Sequence, residues 1–214
     1  MNKDLLAEIK KQAATFFENS RGSHDWSHTE RVYNLCMKIA ANEGADSEIV
    51  GIAALLHDIG REEQDQSKGK TCHAQAGAVL SSELLRRLGL DEDKISHVVH
   101  CIETHRFRGT NKPQTKEAKV LFDADKLDSI GAVGIGRAFQ FAGEVGARLH
   151  NGGIDIKQSQ SYSKEDTAYR EFTVKLRKIK DRMLTEEGKR MAEERHRFMI
   201  AFFDRLNDEV EGKV

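Results

Sequence analysis

Apolar residues recur at helical spacing along most of the chain. Between residues 27 and 42, apolar side chains fall three or four positions apart, which is typical of a helix with one buried face. The stretch from Glu48 to Leu56 is apolar almost throughout, which indicates a helix buried on every side. The chain has one proline and few runs of β-branched residues, so little of it suits a sheet. We therefore predict an all-α fold in the form of a helical bundle.

The pattern predicts a series of helices with no linker between them. They cover about residues 3–18, 27–42, 46–59, 73–88, 91–104, 116–142 and 165–208, with a break in the last near Gly188. Because no linker divides them, we predict one domain over residues 1–214. Two polar stretches that contain glycine, Arg106 to Gln114 and Gly143 to Ser163, are long enough to cover a site. We expect the second of these, and the polar stretch from Arg61 to Thr71, to become more ordered when substrate binds.

Composition and charge exclude several classes of protein. The 38% of hydrophobic and 32% of charged residues are ordinary for a soluble globular protein. A net charge of -1 argues against a general nucleic-acid-binding protein, which would present a basic surface to phosphates. No apolar run is long enough to span a bilayer, and the first residues lack the apolar core of a signal peptide. Cys36, Cys72 and Cys101 form no CxxC pair, and an odd number of cysteines fits reduced thiols in the cytoplasm.

Histidine and aspartate residues in three separate segments form a set of metal-ligand types. The set consists of His28, the adjacent pair His57 and Asp58, and Asp125. Imidazole nitrogens and carboxylate oxygens without a thiolate suit a first-row divalent metal in a hydrolytic role better than a structural zinc. An ionised carboxylate at the end of a buried helix needs a partner, and a bound cation would provide one. The sequence therefore predicts a catalytic metal site between helices.

Local signals place the first of these ligands at a helix start. Ser27 and Glu30 have the spacing of a capping box, which would put His28 in the first turn of a helix. The pair His24 and Asp25 lies in the preceding loop. We expect this pair to stabilise the loop through local hydrogen bonds, with contact to substrate as the alternative.

Three aspartates fall within six residues of a predicted apolar helix that contains Asp125. Asp125 and Asp128 are one turn apart and would share a face, whereas Asp123 points elsewhere. We assign Asp125 as a ligand and Asp128 as a catalytic residue that orients water. The glycine run that follows lies inside the same helical pattern, so we predict close helix packing there rather than dinucleotide binding. It consists of Gly131, Gly134 and Gly136.

Taken together, the motifs resemble the HD superfamily of metal-dependent phosphohydrolases. The matching segments are His28-Thr-Glu-Arg31-Val, Leu-Leu-His57-Asp58-Ile-Gly and Asp-Ala-Asp125-Lys-Leu-Asp-Ser-Ile-Gly-Ala-Val-Gly-Ile-Gly-Arg137. The resemblance is to the small single-domain bacterial branch, which includes nucleoside triphosphate pyrophosphohydrolases. It implies a metal-site core over about residues 24–140, a C-terminal helical part over about 165–208, and a set of four metal ligands. These are His28, His57, Asp58 and Asp125.

The resemblance also bears on residues near these ligands. Nucleotidases of the superfamily carry a carboxylate three residues after the motif aspartate, where this chain has Arg61, and Glu62 is the candidate catalytic carboxylate one step later. Superfamily phosphodiesterases that hold two metals use extra histidines, which His73 and His105 resemble. Contact with phosphate, or hydrogen bonding to Asp58, is the alternative for both histidines. The sequence favours one metal ion over two.

The implied function is hydrolysis of a nucleotide phosphoanhydride or phosphoester, with nucleoside or deoxynucleoside triphosphates as the expected substrates. Manganese is the expected metal because imidazole-rich sites suit Mn, Co or Ni better than Mg. Co, Ni, Fe, Zn and Mg are the alternatives. Among the nearby cations we expect Arg31 and Lys126 to contact phosphate, ahead of the remaining candidates. Those candidates are Arg61, Arg106, Arg108 and Arg137. The rival functions are a di-iron oxygenase and a non-catalytic nucleotide-binding regulator. The sequence also leaves open whether the protein forms a homo-oligomer.

Overall fold

Helices account for the secondary structure of the described chain, as the apolar pattern predicts. The computed structural model describes residues 3–18, 25–67, 69–106, 111–151 and 158–214. In these ranges the chain forms ten α-helices, one 3₁₀ helix and no β-strand, which confirms the all-α fold. The helices are α1 (Lys3–Thr15), α2 (Trp26–Glu43), α3 (Ser47–Leu56), α4 (Arg61–Gln66), α5 (His73–Arg87), α6 (Glu92–Thr104), α7 (Lys116–Leu127), α8 (Gly131–Glu144), α9 (Ala168–Val174), the 3₁₀ helix (Leu176–Arg182) and α10 (Glu186–Val210). None of these described helices is both long and apolar enough to cross a lipid bilayer.

Helix α3 lies at the centre of the first of two compact units, Met1–Asp125. Every residue from Ile49 to Leu56 is buried, and α1, α2 and α6 pack around this helix. Helix α5 packs against α6, and the short helix α4 packs against α5. The predicted helix buried on every side is therefore confirmed, since a helix with neighbours all round can carry almost no polar side chain.

Helix α2 begins with an aspartate cap rather than with the predicted capping box. The Asp25 carboxylate accepts a hydrogen bond from the backbone N–H of His28 at 3.0 Å, and the Ser27 hydroxyl donates to the same carboxylate at 2.6 Å. Ser27 supports the cap instead of forming it, so the predicted box from Ser27 to Glu30 is wrong. Aspartate and serine cap about equally well, so local sequence does not choose between them. The structural role expected for Asp25 is confirmed, while His24 lies outside the described residues.

The second compact unit, Lys126–Val214, is built around an aromatic cluster. Phe172 and Phe203 stack with their ring centroids 4.4 Å apart, and the Phe139 ring lies 6.5 Å from that of Phe203. Helix α8 packs against α9 and α10, and the 3₁₀ helix packs against the same two helices. These contacts bury one face of the charge-rich helix α10, as its apolar positions require.

Two of the predicted long helices are broken. Helix α7 ends at Leu127 and α8 begins at Gly131, so the predicted single helix over 116–142 is wrong. Gly131 has a φ of 76°, in the left-handed region that favours glycine, and a Cβ added there would lie 2.9 Å from the Cγ of Arg195. The predicted helix over 165–208 consists of α9, the 3₁₀ helix and α10. Its break precedes Gly188, whose N–H donates to the hydroxyl of the N-cap residue Thr185.

The glycines inside α8 differ in their surroundings, which provides a test of the fold. A Cβ added at Gly134 would lie 2.3 Å from the carbonyl oxygen of Ser129 in the preceding turn, whereas one at Gly136 would meet nothing within 4 Å. The predicted close helix packing is confirmed for Gly131, which lies against Arg195 of α10, whereas Gly134 packs against the preceding turn and Gly136 makes no close contact. We expect Gly134→Ala to lower the free energy of unfolding by about 1–3 kcal/mol, and Gly136→Ala to raise it by about 0.5–1 kcal/mol through helix propensity. Urea denaturation measures both values, and equal effects of the two substitutions would contradict the turn before α8.

Candidate metal centre

Three ligand residues from three helices converge in the first unit. The Nε2 atoms of His28 and His57 lie 3.3 Å apart, and His28 Nε2 lies 3.5 Å from Asp125 Oδ1. His28 stands in the first turn of α2, His57 follows the last residue of α3, and Asp125 lies in the last turn of α7. We call His28, His57 and Asp125 the first trio. Their ligand atoms all lie within 4.8 Å of one another.

Asp58 connects the first trio to a second group of ligands. Its Oδ2 atom lies 3.6 Å from the Nε2 atoms of both His28 and His57. Its Oδ1 atom lies 3.5 Å from His73 Nε2 and 3.6 Å from His105 Nε2. We call Asp58, His73 and His105 the second trio. The structure thus brings together the four ligands predicted from the sequence and adds both of the extra histidines.

The ends of two helices orient two of these histidines. His57 follows the last residue of α3, and His105 follows the last residue of α6. The Nδ1–H of His57 donates to the carbonyl oxygen of Ala54 at 2.8 Å, and that of His105 donates to the carbonyl oxygen of Ile102 at 2.6 Å. These carbonyls belong to the last turn of each helix, where carbonyl oxygens are open to donors from outside the regular helical pattern. The Ile102 oxygen also accepts the backbone N–H of His105, at 3.5 Å. The bond from the ring fixes Nδ1 as the protonated nitrogen of the neutral ring and leaves the Nε2 lone pair for a ligand.

Burial favours the neutral form of two of the clustered histidines, His57 and His73. It lowers the pKa of His57 to about 4, against the opposing charge of Asp58. Burial also lowers the pKa of His73 to about 2, and the Arg61 guanidinium adds to this effect. His73 and His105 both donate a hydrogen bond from Nδ1, and their Nε2 atoms lie 3.3 Å apart.

The donor set fits a divalent metal ion. Adjacent ligand atoms about 2.1 Å from a metal lie about 3.0–3.4 Å apart in octahedral or tetrahedral geometry. The separations from His28 to His57 and to Asp125, and those within the second trio, are 3.3 to 3.6 Å, which is close to that spacing. Lone pairs that face each other beside a buried carboxylate also favour a cation among them. The cluster of histidines and aspartates is therefore a divalent metal site by its ligand chemistry, with nitrogen and oxygen donors and no thiolate.

The lowered pKa values predict that acid destabilises the metal-free protein. In the unfolded chain His57 takes up a proton near its ordinary pKa of 6.5, but in the folded chain it does so only near pH 4. His73 behaves likewise, with a folded pKa of about 2. Because the unfolded state binds more protons in this window, the free energy of unfolding should fall as the pH drops below 6.5, by up to about 1.4 kcal/mol per pH unit for each histidine. Urea denaturation with EDTA between about pH 7 and pH 5 measures the slope, which His57→Gln should reduce. A stability that does not change in this range would contradict a neutral, buried His57.

Arg61 pairs with Asp58, three residues earlier. Its Nε atom lies 2.9 Å from Asp58 Oδ2, and its side chain is 25% exposed. The guanidinium therefore offsets part of the charge of a carboxylate that is fully buried. In the sequence, Arg61 is one of several cations near the ligands, and only its spacing of three residues from Asp58 hints at this pair.

Glu62 and Arg31 bond to neighbours on their own helices. Glu62 is exposed on α4, and its Oε1 accepts a hydrogen bond from Gln66 Nε2 at 2.9 Å. Arg31 Nη1 donates to the Ser27 hydroxyl at 2.9 Å at the start of α2. Neither residue belongs to a trio. The catalytic role of Glu62 and the substrate-binding role of Arg31 stay predictions.

Asp128 and Arg137 pair with each other in the second unit. Arg137 Nη1 lies 2.6 Å from Asp128 Oδ2 and 3.3 Å from the Asp128 carbonyl oxygen. Asp128 directly follows Leu127, the last residue of α7. Its predicted position on the same face as Asp125 stays a prediction. Lys126 is the last but one residue of α7 and is buried. The roles of these residues toward water and phosphate stay predictions.

The segments expected to cover the site are described only in part. The polar stretch from Arg61 to Thr71, which no predicted helix covers, contains helix α4. Residues 107–110, which include Arg108, and residues 152–157 lie outside the described residues. The ordering of these segments on substrate binding stays a prediction. One residue in the first stretch was not found from the sequence: Gln64, whose Oε1 accepts a hydrogen bond from His73 Nδ1–H at 2.8 Å.

Comparison with known proteins places this site in a family. The HD domain matches residues 25–130, a range that contains every residue of both trios. The Bacillus subtilis protein YpgQ is 34% identical to this chain over 209 residues, which are 96% of this chain and 93% of YpgQ. The chain therefore belongs to the HD-domain family, and the resemblance noted from its motifs is confirmed.

Solved structures extend this similarity over the whole length. The crystal structure of Bacillus subtilis YpgQ in complex with ADP has a TM-score of 0.76 and 32% identity, over 97% of this chain and 98% of that one. An HD-superfamily hydrolase from Bacillus thuringiensis has a TM-score of 0.79 and 28% identity, over 99% of both chains. The fold is thus that of HD-superfamily hydrolases, with a His/Asp cluster suited to a divalent metal.

Proposed function

We propose that this protein is a metal-dependent hydrolase of nucleotides that cleaves phosphoanhydride or phosphoester bonds and prefers nucleoside or deoxynucleoside triphosphates. The proposal depends most on the Asp58 carboxylate, both of whose oxygens lie within 3.6 Å of a pair of imidazole nitrogens. Such a constellation suits metal-assisted hydrolysis. The similarity to YpgQ, which was crystallised with ADP, supports a nucleotide as the ligand.

Manganese is the ion that we propose for the first trio with Asp58. Imidazole-rich sites suit Mn, Co or Ni better than Mg, which prefers oxygen ligands and keeps its waters. A divalent ion held there would lower the pKa of a water molecule and neutralise phosphate charge during attack. The second trio provides ligands for a second ion. Its geometry repeats that of the first trio, so we favour two ions over the single ion that the sequence favours.

Charged residues that lie close to the ligands in the sequence are the further members of the proposed site. Lys126 directly follows Asp125 on α7, and Arg31 lies one turn after His28 on α2, so both residues start from helices that carry ligands. We propose that these two cations bind phosphate charge. For three further residues we keep the roles predicted from the sequence: Asp128 orients water, Glu62 is a catalytic carboxylate and Arg137 binds phosphate.

The proposed partners are small molecules rather than macromolecules. The net charge of -1 gives no basic excess for phosphate backbones. The three cysteines are free thiols, which supports the proposal of a reducing, cytoplasmic compartment.

A matrix of metals and substrates tests this function. Metal-free protein is reloaded with Mn, Mg, Co, Ni, Fe or Zn and incubated with nucleoside mono-, di- and triphosphates, and the products are resolved into phosphate and pyrophosphate. We expect the Mn-loaded protein to release one of these products from triphosphates. Lys126→Ala should lower turnover by roughly 100-fold without changing Mn affinity, because its proposed role is toward phosphate. Lys112→Ala, at an exposed position, is the control.

The same matrix distinguishes the rival functions. Release of neither product from any nucleotide would contradict the proposal. Oxygen consumption by the iron-loaded protein would then favour the di-iron oxygenase. Nucleotide binding without turnover in every metal form would favour the non-catalytic regulator.

A further inference from the structure

His57, His73 and His105 donate from Nδ1 to different kinds of acceptor. His57 and His105 donate to backbone carbonyls at the ends of their own helices. His73 instead donates to the side-chain oxygen of Gln64, at 2.8 Å. Gln64 lies on α4, nine residues before His73, so this contact joins two helices.

The position of His73 explains why it needs an acceptor from another helix. His73 is the first residue of α5, whereas His57 and His105 each follow a helix end. The last turn of a helix leaves carbonyl oxygens without helical partners, but the first turn leaves N–H groups. An imidazole Nδ1–H at a helix start therefore finds donors around it rather than acceptors. Gln64 supplies the acceptor that α5 does not offer.

Helix α4 is held firmly enough to place this side chain. A Cβ added at Gly60, which precedes α4, would lie 2.4 Å from the backbone nitrogen of Gly77 and 2.5 Å from the carbonyl oxygen of His73, so the two backbones are in close contact. At the other end of α4, the Ser67 hydroxyl accepts a hydrogen bond from the backbone N–H of Thr71 at 2.9 Å. Both ends of α4 are thus tied to α5 or to the turn before it, which fixes Gln64 beside His73.

We propose that Gln64 is the positioning residue of the second trio. By accepting the Nδ1–H of His73, it keeps the Nε2 lone pair of that ring directed at the bound group that His73, Asp58 and His105 hold together. This inference rests on the proposed function in one respect, since it takes that bound group to be a metal ion. In the metal-free protein the same bond keeps Nε2 unprotonated. Without it, the proton moves to Nε2 in part of the molecules, and those molecules cannot bind a metal through that nitrogen.

Two substitutions at Gln64 and one control separate this role from a general effect on α4. Gln64→Leu removes the acceptor at similar volume, Gln64→Glu keeps an acceptor, and Gln66→Leu removes an exposed amide from the same helix. The first readout is the tautomer of His73 in metal-free protein, from the nitrogen chemical shifts of the ring, with His73→Gln to assign the signal. The second readout is the affinity and stoichiometry of Mn²⁺ by equilibrium dialysis.

We expect the wild type, Gln64→Glu and Gln66→Leu to show His73 protonated at Nδ1. In Gln64→Leu, a substantial fraction of His73 should be protonated at Nε2. The weaker of the two Mn²⁺ sites should have an affinity about 10- to 100-fold lower than in the wild type. An unchanged tautomer in Gln64→Leu would overturn the proposal, even if nucleotide hydrolysis is found. A changed tautomer that Gln64→Glu restores supports it, even if the protein hydrolyses no nucleotide.

Discussion

Asp58→Asn should remove metal binding and hydrolysis together, because one carboxylate serves both trios. Its two oxygens each lie 3.5 to 3.6 Å from two imidazole nitrogens, and an amide offers one weaker ligand atom in place of two charged ones. In the wild type, Mn²⁺ at about 100 times its Kd should stabilise the fold by about 2.7 kcal/mol and raise Tm by about 5–10 °C. The variant should show no such shift, and its turnover should fall by more than about a thousandfold. Thermal denaturation with and without Mn²⁺ and metal analysis after dialysis measure these effects.

The control for this substitution is Asp65→Asn. Asp65 is exposed on α4, close in sequence to Asp58 but in neither trio, so its change should leave Mn²⁺ stabilisation intact. Asp58→Ala provides a second variant without any ligand atom on the side chain. If either Asp58 variant retains stoichiometric Mn²⁺ and full turnover, the assignment of Asp58 as the shared ligand is wrong.

Gly60→Ala should both lower the stability of the first unit and displace residues of the second trio. The added methyl group would lie 2.4 Å from the backbone nitrogen of Gly77 and 2.5 Å from the carbonyl oxygen of His73. Because both contacts are with backbone, relief requires movement of α5, the helix that begins at His73. We expect the free energy of unfolding to fall by about 3 kcal/mol or more, and the weaker Mn²⁺ site to be lost. Urea denaturation and equilibrium dialysis measure the two effects.

Gly51→Ala is the matched control in the same unit. A Cβ at Gly51 would meet only side-chain atoms, 3.3 Å from Tyr33 Cε2 and 3.4 Å from Met37 Cε. These atoms can move by a few tenths of an ångström, and alanine favours the helix, so the net effect should be within about 1 kcal/mol. A Gly60→Ala variant as stable as Gly51→Ala would contradict the close contact between the start of α4 and α5.

Arg61 gives the site a cation where the resemblance to HD nucleotidases leads us to expect a carboxylate. Its Nε lies 2.9 Å from Asp58 Oδ2, the oxygen that also faces His28 and His57. A guanidinium stays protonated in proteins and cannot act as a general base. It can stabilise a carboxylate ligand or attract an anionic substrate. The proton acceptor in the proposed hydrolysis must therefore be another group, for which Glu62 and Asp128 are the predicted candidates.

Local patterns were enough to predict the helices and the kinds of ligand. The stretch from Glu48 to Leu56 had to be buried because its residues are apolar on every face, and α3 is buried accordingly. The four predicted ligands could be named because few side chains other than histidine and aspartate bind such metals. The end of α7 just after Asp125 was not predicted. Periodicity and ligand chemistry are properties of neighbouring residues, so they can be read without a fold.

Tertiary contacts decided how those residues work together. Several nearby residues could cap α2, and the sequence does not show that Asp25 is the one that does. In the same way, the helical pattern continues through the turn between α7 and α8, so it does not show where the chain turns. The sharing of Asp58 between two pairs of histidines involves residues 28 to 105, and the contact of Gln64 with His73 depends on the close approach of Gly60 to α5. Such arrangements arise from packing between distant segments. Residue types and spacing predict that a metal site forms, but only the packed helices determine which oxygen faces which nitrogen.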